Sequence, residues 1–168
     1  LVDDHDMVRA GLRTAIEIED DMEVVAEASS GEECLDQLPS VAVDVILMDV
    51  MMEGLGGVEA CRLVKERGQR PRVLMLTSSS DEQAVLSSLV AGANGYLLKN
   101  VGRDELLRSI RAANDGQTTL DQNVTALVTK QLVSLSQGQS DSSFSGQLEE
   151  NPLSDREMDV IGLIAQGK

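Results

Sequence analysis

Residues 41–50, VAVDVILMDV, carry the clearest indication of the fold of this chain. Apart from Asp44 they form a continuous apolar run rich in Val, Ile and Leu, and the run ends abruptly at a carboxylate, Asp49. This length and composition are typical of a strand buried on both faces, which usually means a parallel sheet covered by helices. Asp49 would then lie at the carboxyl edge of the sheet, where open α/β sheets carry their chemistry. A lone Asp at a strand end is more often a turn residue, so its role depends on the residues that end the other strands.

Four further segments have the composition of buried strands; they are residues 1–2, 22–29, 72–77 and 96–98. Each of the five strands is followed by a segment whose apolar residues recur every three or four positions, which predicts a helix. Five strands alternating with five helices over residues 1–116 predict a doubly wound α/β domain with a parallel sheet. The commonest strand order for such a sheet, 2-1-3-4-5, places the ends of the first and third strands side by side.

The composition limits both the core and the partners of the chain. Hydrophobic residues make up 42% of the 168 residues, which fits a folded protein, but aromatic residues make up only 1%. The core must therefore be built from aliphatic side chains. The formal net charge of −15 argues against non-specific attraction of the residues present to nucleic acid.

The two cysteines and the hydropathy pattern indicate a cytoplasmic protein. Cys34 and Cys61 lie in predicted helices beside apolar residues and lack the spacing of metal ligands, so we expect reduced, partly buried thiols. No apolar run approaches the roughly 18 residues that span a bilayer, and no signal peptide is visible. We therefore expect no membrane partner.

Chemically useful side chains follow four of the predicted strands. Asp3 and Asp4 follow the first strand, Asp49 ends the third, and Thr77 and Lys99 end or follow the fourth and fifth. Three clustered carboxylates repel one another unless a divalent cation lies among them, and Mg²⁺ suits oxygen ligands best. A carboxylate held beside a metal can act as a nucleophile toward phosphorus, while an ammonium and a hydroxyl neutralise the phosphoryl oxygens. The pattern predicts an aspartyl-phosphate site.

Each of these residues also has an ordinary structural interpretation. Asp3 and Asp4 would be favourable simply by preceding a helix N-terminus, and a lone Lys99 is most often solvated. His5 has no second His or Cys nearby in the sequence and is interpreted as a helix-start residue. The joint pattern over four strand ends is what favours a site.

Four segments carry a resemblance to a known family; they are LVDDH (1–5), ILMDV (46–50), MLTS (75–78) and GANGYLLK (92–99). They closely resemble the four signatures of the bacterial response-regulator receiver domain, and the resemblance covers residues 1–116. It implies a flavodoxin-like fold and a signalling protein, rather than an enzyme, that takes a phosphoryl group from a sensor histidine kinase.

The resemblance also implies roles for individual residues. Asp49 would be the phosphoacceptor. The implied Mg²⁺ ligands are Asp3, Asp4, Asp49 and the backbone carbonyl of Met51. The implied switch and phosphate-binding residues are Thr77, Tyr96 and Lys99. The chain departs from the family pattern at Glu53 and Asn100, where many members carry Pro, and no cis bond is expected at Asn100.

Residues 117–168 are predicted to form a linker and the start of a second domain. Apolar residues at three-to-four spacing predict a linker helix over 117–136, and the Ser-, Gln- and Gly-rich segment 137–151 is typical of a flexible linker. Ser154 and Glu157 form a capping box at the start of another helix. Residues 152–168 are similar to the first helix of the LuxR/NarL-type helix-turn-helix. They do not include the recognition helix, which would bind in the major groove of DNA. The resemblance implies a transcription regulator that dimerises when phosphorylated.

Two other functional classes stay open at this point. An aspartate-nucleophile phosphatase would also use Mg²⁺ and a strand-end Asp, but it typically needs a second Asp two positions later, where Met51 stands. A phosphorylation-independent binding module would keep the fold without the chemistry, and the full set of site residues disfavours it.

Overall fold

The computed structural model describes residues 1–68, 70–78 and 82–120, together with Thr125 and Thr129. The chain divides into two compact units, Leu1–Val124 and Thr125–Lys168. The first unit alternates strands and helices, as the sequence predicts. Its helices are α1 (Asp6–Glu17), α2 (Gly31–Gln37), α3 (Gly57–Glu66), α4 (Glu82–Val90) and α5 (Arg103–Asn114), with a 3₁₀ turn at Leu38–Ser40. Its strands are β1 (Val45–Asp49), β2 (Arg72–Thr77), β3 (Gly95–Leu98) and β4 (Thr119–Leu120).

The four strands form one parallel sheet in the order β1-β2-β3-β4. Asp49 pairs in register with Leu76, and Thr77 pairs with Leu98. Because the strands are parallel, their carboxyl ends meet at one edge of the sheet. That edge is where the predicted site residues lie.

Two of the five predicted strands form only isolated bridges. Val2 makes isolated parallel bridges to Ala28 and to Met48, while residues 22–27 carry no strand. Backbone hydrogen bonds add to these bridges. The Leu1 amine donates to the Ala26 carbonyl, and the Val2 amide donates to the Leu47 carbonyl. The bridges nevertheless place Val2 between Ala28 and Met48, the neighbours that the predicted order gives to the first strand.

The core is aliphatic, as the composition predicts. Four of the five residues of β1 and five of the six residues of β2 are buried, which confirms that the central stretch is a strand covered on both faces. On one face of the sheet, strand residues pack with residues of α1 and α5; the buried cluster is Ile16, Leu47, Leu74, Leu76, Leu97, Leu106, Leu107 and Ala113. At the end of α5, Gly116 adopts a positive φ of 81° and terminates the helix, as the sequence predicts.

Both cysteines are buried free thiols, in agreement with the sequence. Within the part of the chain that the structure describes, no helix combines the length and apolarity needed to cross a membrane. The free state of Cys34 and Cys61 agrees with the reduced thiols expected from the sequence.

The first residues of the linker helix predicted over 117–136 are not helical. Thr119 and Leu120 form β4, pairing in parallel with Gly95 and Tyr96, because the free edge of β3 offers backbone hydrogen bonds to an extended segment. Thr125 and Thr129 are helical, and the Thr129 hydroxyl donates to the Thr125 carbonyl at 2.8 Å. The flexible linker predicted over 137–151 and the helix predicted over 152–168 lie outside the described residues.

Candidate functional site at the carboxyl edge of the sheet

Backbone hydrogen bonds align the strand ends that carry the predicted site residues. The Asp49 amide donates to the Val2 carbonyl at 2.8 Å, which ties the end of β1 to the segment that precedes Asp3. The Lys99 amide donates to the Thr77 carbonyl at 2.7 Å, which ties the residue after β3 to the end of β2. The side chains of these residues are therefore presented at one edge by the sheet itself.

Lys99 bridges two buried carboxylates. Its Nζ lies 2.7 Å from Oδ2 of Asp3 and 2.8 Å from Oδ2 of Asp49. Asp3 is 1% exposed and Asp49 is 2% exposed. Ionised carboxylates are rarely buried this completely without a paired cation, and Lys99 is that cation here.

Asp4 and His5 complete the acidic cluster on its solvent side. His5 Nδ1 lies 2.7 Å from Oδ1 of Asp4 and 3.3 Å from Oδ1 of Asp3. The His5 amide also donates to Asp3 Oδ1 at 2.9 Å. His5 is indeed the N-cap of α1, but its ring also contacts the cluster, which the sequence interpretation did not foresee. No second His or Cys signalled this contact, since its partners are the neighbouring acids.

The loop after β1 is attached to Asp49 through its backbone. The Met51 amide donates to Oδ1 of Asp49 at 3.2 Å, while the Met51 side chain is 69% exposed. The backbone of Met51, rather than its side chain, thus lies beside the acidic cluster. The role predicted for Met51 is likewise a backbone role.

Thr77 and Tyr96 are both buried behind this edge. Thr77, the last residue of β2, is 2% exposed, and Tyr96, on the neighbouring β3, is fully buried. In the β2–β3 register Tyr96 pairs with Met75, two residues before Thr77. Adjacent strands therefore carry the two predicted switch residues.

Burial and ion pairing move the pKa values of the central pair in the same direction. Burial raises the pKa of Asp49, and the hydrogen bonds from Lys99 and from the Met51 amide only partly offset it. Burial alone would lower the pKa of Lys99, but hydrogen bonds and charge interactions with Asp3 and Asp49 outweigh it, so this pKa is raised. Lys99 therefore stays protonated, while burial disfavours the ionised form of the neighbouring Asp49.

The donor set at this edge fits a divalent cation. Each of Asp3, Asp4, His5 and Asp49 offers one ligand atom, and these atoms lie within 4.8 Å of one another. Oxygen atoms of carboxylates are the ligands that Mg²⁺ takes in proteins. Three carboxylates against one ammonium leave two negative charges unneutralised when all are ionised, and one divalent cation balances them. The carboxylate oxygens suit Mg²⁺ better than the His5 nitrogen does.

Sequence reasoning missed two residues whose side chains contact the backbone near this cluster. The Arg9 guanidinium donates to the Asp3 carbonyl, and Glu32 Oε1 accepts a hydrogen bond from the Leu55 amide at 2.8 Å. Glu32 and Leu55 are 23 positions apart and lie on different elements. No local sequence pattern signals such a contact.

Comparisons with known proteins place the chain among signalling proteins. The family model described as response regulator receiver domain matches residues 1–111. The transcriptional regulatory protein LiaR of Bacillus subtilis (strain 168) is 38% identical over 170 residues, covering 100% of this chain and 76% of LiaR. The nitrate/nitrite response regulator protein NarL of Escherichia coli (strain K12) is 33% identical over 167 residues, covering 99% of this chain and 74% of NarL. The crystal structure of response regulator ChrA of a heme-sensing two-component system matches with a TM-score of 0.65 at 31% identity, over 99% of this chain and 74% of ChrA.

Proposed function

The chain belongs to the response regulator family and is of the LuxR/NarL type, and on that premise we propose that Asp49 is the residue that accepts the phosphoryl group. The chain is a two-component response regulator with a flavodoxin-like receiver domain, and its relatives regulate transcription. The phosphatase and the phosphorylation-independent module are not favoured by these similarities. The observation that carries the assignment is the Lys99 ammonium, 2.8 Å from Asp49 and 2.7 Å from Asp3 in a buried cluster.

The proposed reaction is a displacement at phosphorus. An Oδ atom of Asp49 attacks the phosphorus of a phosphohistidine on the sensor kinase, and the new O–P bond forms as the N–P bond breaks. The imidazole leaves with the electron pair of the broken bond and takes up a proton from solvent. Asp49 must be ionised to attack, and the adjacent Lys99 ammonium favours that form although burial opposes it.

The residues around Asp49 position the phosphoryl group and neutralise its charge. Asp3, Asp4, Asp49 and the Met51 carbonyl would hold a Mg²⁺, which, when bound, supplies positive charge beside the phosphoryl oxygens. Lys99 would exchange its contact with Asp49 Oδ2 for a contact with a phosphoryl oxygen. The Thr77 hydroxyl would donate to another.

The proposal continues from the site to the output of the protein. Thr77 would move toward the phosphoryl group, and Tyr96 on the neighbouring strand would follow into the space that Thr77 leaves. The surface of α4, β3 and α5 would change, which would favour a homodimer. The phosphoryl group must favour the active state by several kcal/mol to convert a mostly inactive population.

The remaining architecture belongs to the same proposal. The five predicted strands would keep the order 2-1-3-4-5, with β4 added beside the last of them. The linker helix predicted over 117–136 would begin after β4, and a flexible linker over 137–151 would follow. Residues 152–168 would form the first helix of a helix-turn-helix domain, through which the full protein would bind DNA. The similarity to LiaR and NarL over nearly the whole chain supports this extension.

The direct test is incorporation of labelled phosphoryl groups from acetyl phosphate in the presence of Mg²⁺. Asp49→Asn is expected to abolish labelling, because the amide is a poor nucleophile. Asp44→Asn is the matched control, since Asp44 is an exposed carboxylate just before the same strand, and it should label like the unmodified chain. Labelling of Asp49→Asn at the unmodified level would refute the assignment.

A further inference from the structure

The loop that follows Asp49 is held from the side by helix α2. Glu32, the second residue of α2, accepts the hydrogen bond from the Leu55 amide at 2.8 Å. Leu55 lies near the far end of the loop that joins β1 to α3, over residues 50–56. A side chain of one helix thus restrains the backbone of the loop that borders the acidic cluster.

Two glycines give α2 and the loop room to approach this closely. Gly54 has a φ of +73°, which suits glycine, and a Cβ built there would lie 2.7 Å from Glu32 Oε1. A Cβ on Gly31, the first residue of α2, would lie 2.6 Å from the Leu55 carbonyl oxygen. The glycine on each element is therefore needed for the contact between Glu32 and the loop.

Glu32 makes this contact as a carboxylate. Hydrogen bonds from its own amide and from the Leu55 amide lower the pKa of Glu32, and a hydrogen bond with Ser30 adds to the effect. A bond from an amide to an ionised carboxylate is stronger than one between neutral groups. The restraint on Leu55 is accordingly present at neutral pH.

The other end of the same loop is joined to the site. The Met51 amide donates to Asp49 Oδ1 at 3.2 Å, and the Gly57 amide donates to the Val50 carbonyl at 3.1 Å. A Cβ on Gly57 would lie 1.8 Å from the Asp49 carbonyl oxygen, so α3 starts directly against the strand end. The 50–56 loop is short and is hydrogen-bonded at both ends. The contact between Glu32 and Leu55 therefore limits the backbone conformations that Met51 can adopt.

We infer that Glu32 is a positioning residue for cation binding at the Asp49 site. It holds the 50–56 loop so that the backbone of Met51 stays beside the Asp3, Asp4 and Asp49 carboxylates. This inference rests on the proposed function of Asp49. Removing a residue that hydrogen-bonds to a metal ligand commonly lowers metal affinity by about 10- to 100-fold. Glu32 acts less directly, through the loop, so we expect its removal to lower Mg²⁺ affinity by about threefold to tenfold.

The test compares the unmodified chain with Glu32→Ala, Glu32→Gln and a control, Asp36→Ala. Asp36 is an exposed acid one turn further along α2, so its removal changes the charge of the helix equally. Three quantities are measured: hydrogen exchange of the Leu55 amide without Mg²⁺, the Mg²⁺ dissociation constant by calorimetry, and labelling by acetyl phosphate as a function of Mg²⁺ concentration.

Glu32→Ala is expected to speed Leu55 exchange by about tenfold and to weaken Mg²⁺ binding by about threefold to tenfold. Labelling should then need more Mg²⁺ but reach the unmodified rate at saturation. Glu32→Gln keeps an oxygen acceptor and should lie between the unmodified chain and Glu32→Ala, and Asp36→Ala should match the unmodified chain.

Three results would overturn the inference: unchanged Leu55 exchange in Glu32→Ala, faster exchange with unchanged Mg²⁺ affinity, or an equal loss of affinity in Asp36→Ala. Each of these leaves the role of Asp49 intact as long as the unmodified chain binds Mg²⁺ and labels. If the unmodified chain does neither, the proposed function itself fails.

Discussion

The ammonium of Lys99 lies 2.8 Å from the carboxylate of Asp49, although the two residues are 50 positions apart in the chain. The contact joins the end of β1 to the residue after β3, across the intervening β2. Lys99 also pairs with Asp3, so one cation stabilises two buried acids. The site is thus organised by a charge contact that links three separate segments.

Removing this cation should destabilise the protein. Lys99→Ala leaves two buried carboxylates without their partner, so we expect a loss of about 3 kcal/mol in the free energy of unfolding, measured by urea denaturation in EDTA. Mg²⁺ should restore part of the loss, because it neutralises the same acids. Arg103→Ala is the control: it removes an exposed cation that pairs with Glu19 and should cost about 1 kcal/mol or less. Equal effects of the two changes would contradict the role given to Lys99.

Close packing of α3 on the strand end should make Gly57 sensitive to substitution. Gly57→Ala places a methyl group against the Asp49 carbonyl, so the helix or the strand must move, and we expect a loss of about 2–4 kcal/mol. Gly11→Ala in α1 meets no atom within 4 Å and should instead stabilise by about 0.5–1 kcal/mol. Thermal or urea unfolding of both variants measures the difference in sign, and a stabilising Gly57→Ala would show that the contact is loose in solution.

The raised pKa of Asp49 predicts how the Asp49→Asn substitution changes the pH dependence of the free energy of unfolding. Between the ordinary value of 3.8 and the raised folded value, the folded state binds more protons than the unfolded state, so ionising Asp49 lowers stability as the pH rises through this window. Asp49→Asn removes that contribution. The variant should gain stability relative to the unmodified chain as the pH rises from 4 to 7 in EDTA, as measured by urea unfolding. A difference that stays constant with pH would mean that the burial of Asp49 does not resist its ionisation.

The two cysteines should be unreactive in the folded protein. Burial raises the pKa of Cys61 to about 11 and also raises the pKa of Cys34. At pH 8 about one Cys61 thiol in a thousand is then ionised, and only the thiolate reacts. Iodoacetamide should modify Cys61 about a hundredfold more slowly in buffer than in urea, and it should also modify Cys34 more slowly in buffer, as followed by mass spectrometry. Rapid native modification of either residue would show that its helix opens readily.

Tertiary structure changed several sequence-based expectations for reasons that are visible in particular residues. Residues 22–29 have a strand-like composition, but Ala28 is the one residue of this segment that forms a strand bridge, which it makes to Val2. Thr119 and Leu120 fit a helical apolar pattern, yet the free edge of β3 makes them a strand. His5 is the N-cap of α1 as well as a neighbour of Asp3 and Asp4.

Local sequence patterns were enough to predict the alternation of strands and helices, the buried central strand and the acidic, hydroxyl and ammonium groups at the strand ends. These features follow from local periodicity and from the residue that ends each apolar run, so they depend on short stretches of sequence. The contacts of Lys99 with Asp3 and Asp49, and of Glu32 with Leu55, could be seen only in the folded structure. Such contacts join residues 23 to 96 positions apart, and only the packing of the elements brings them together.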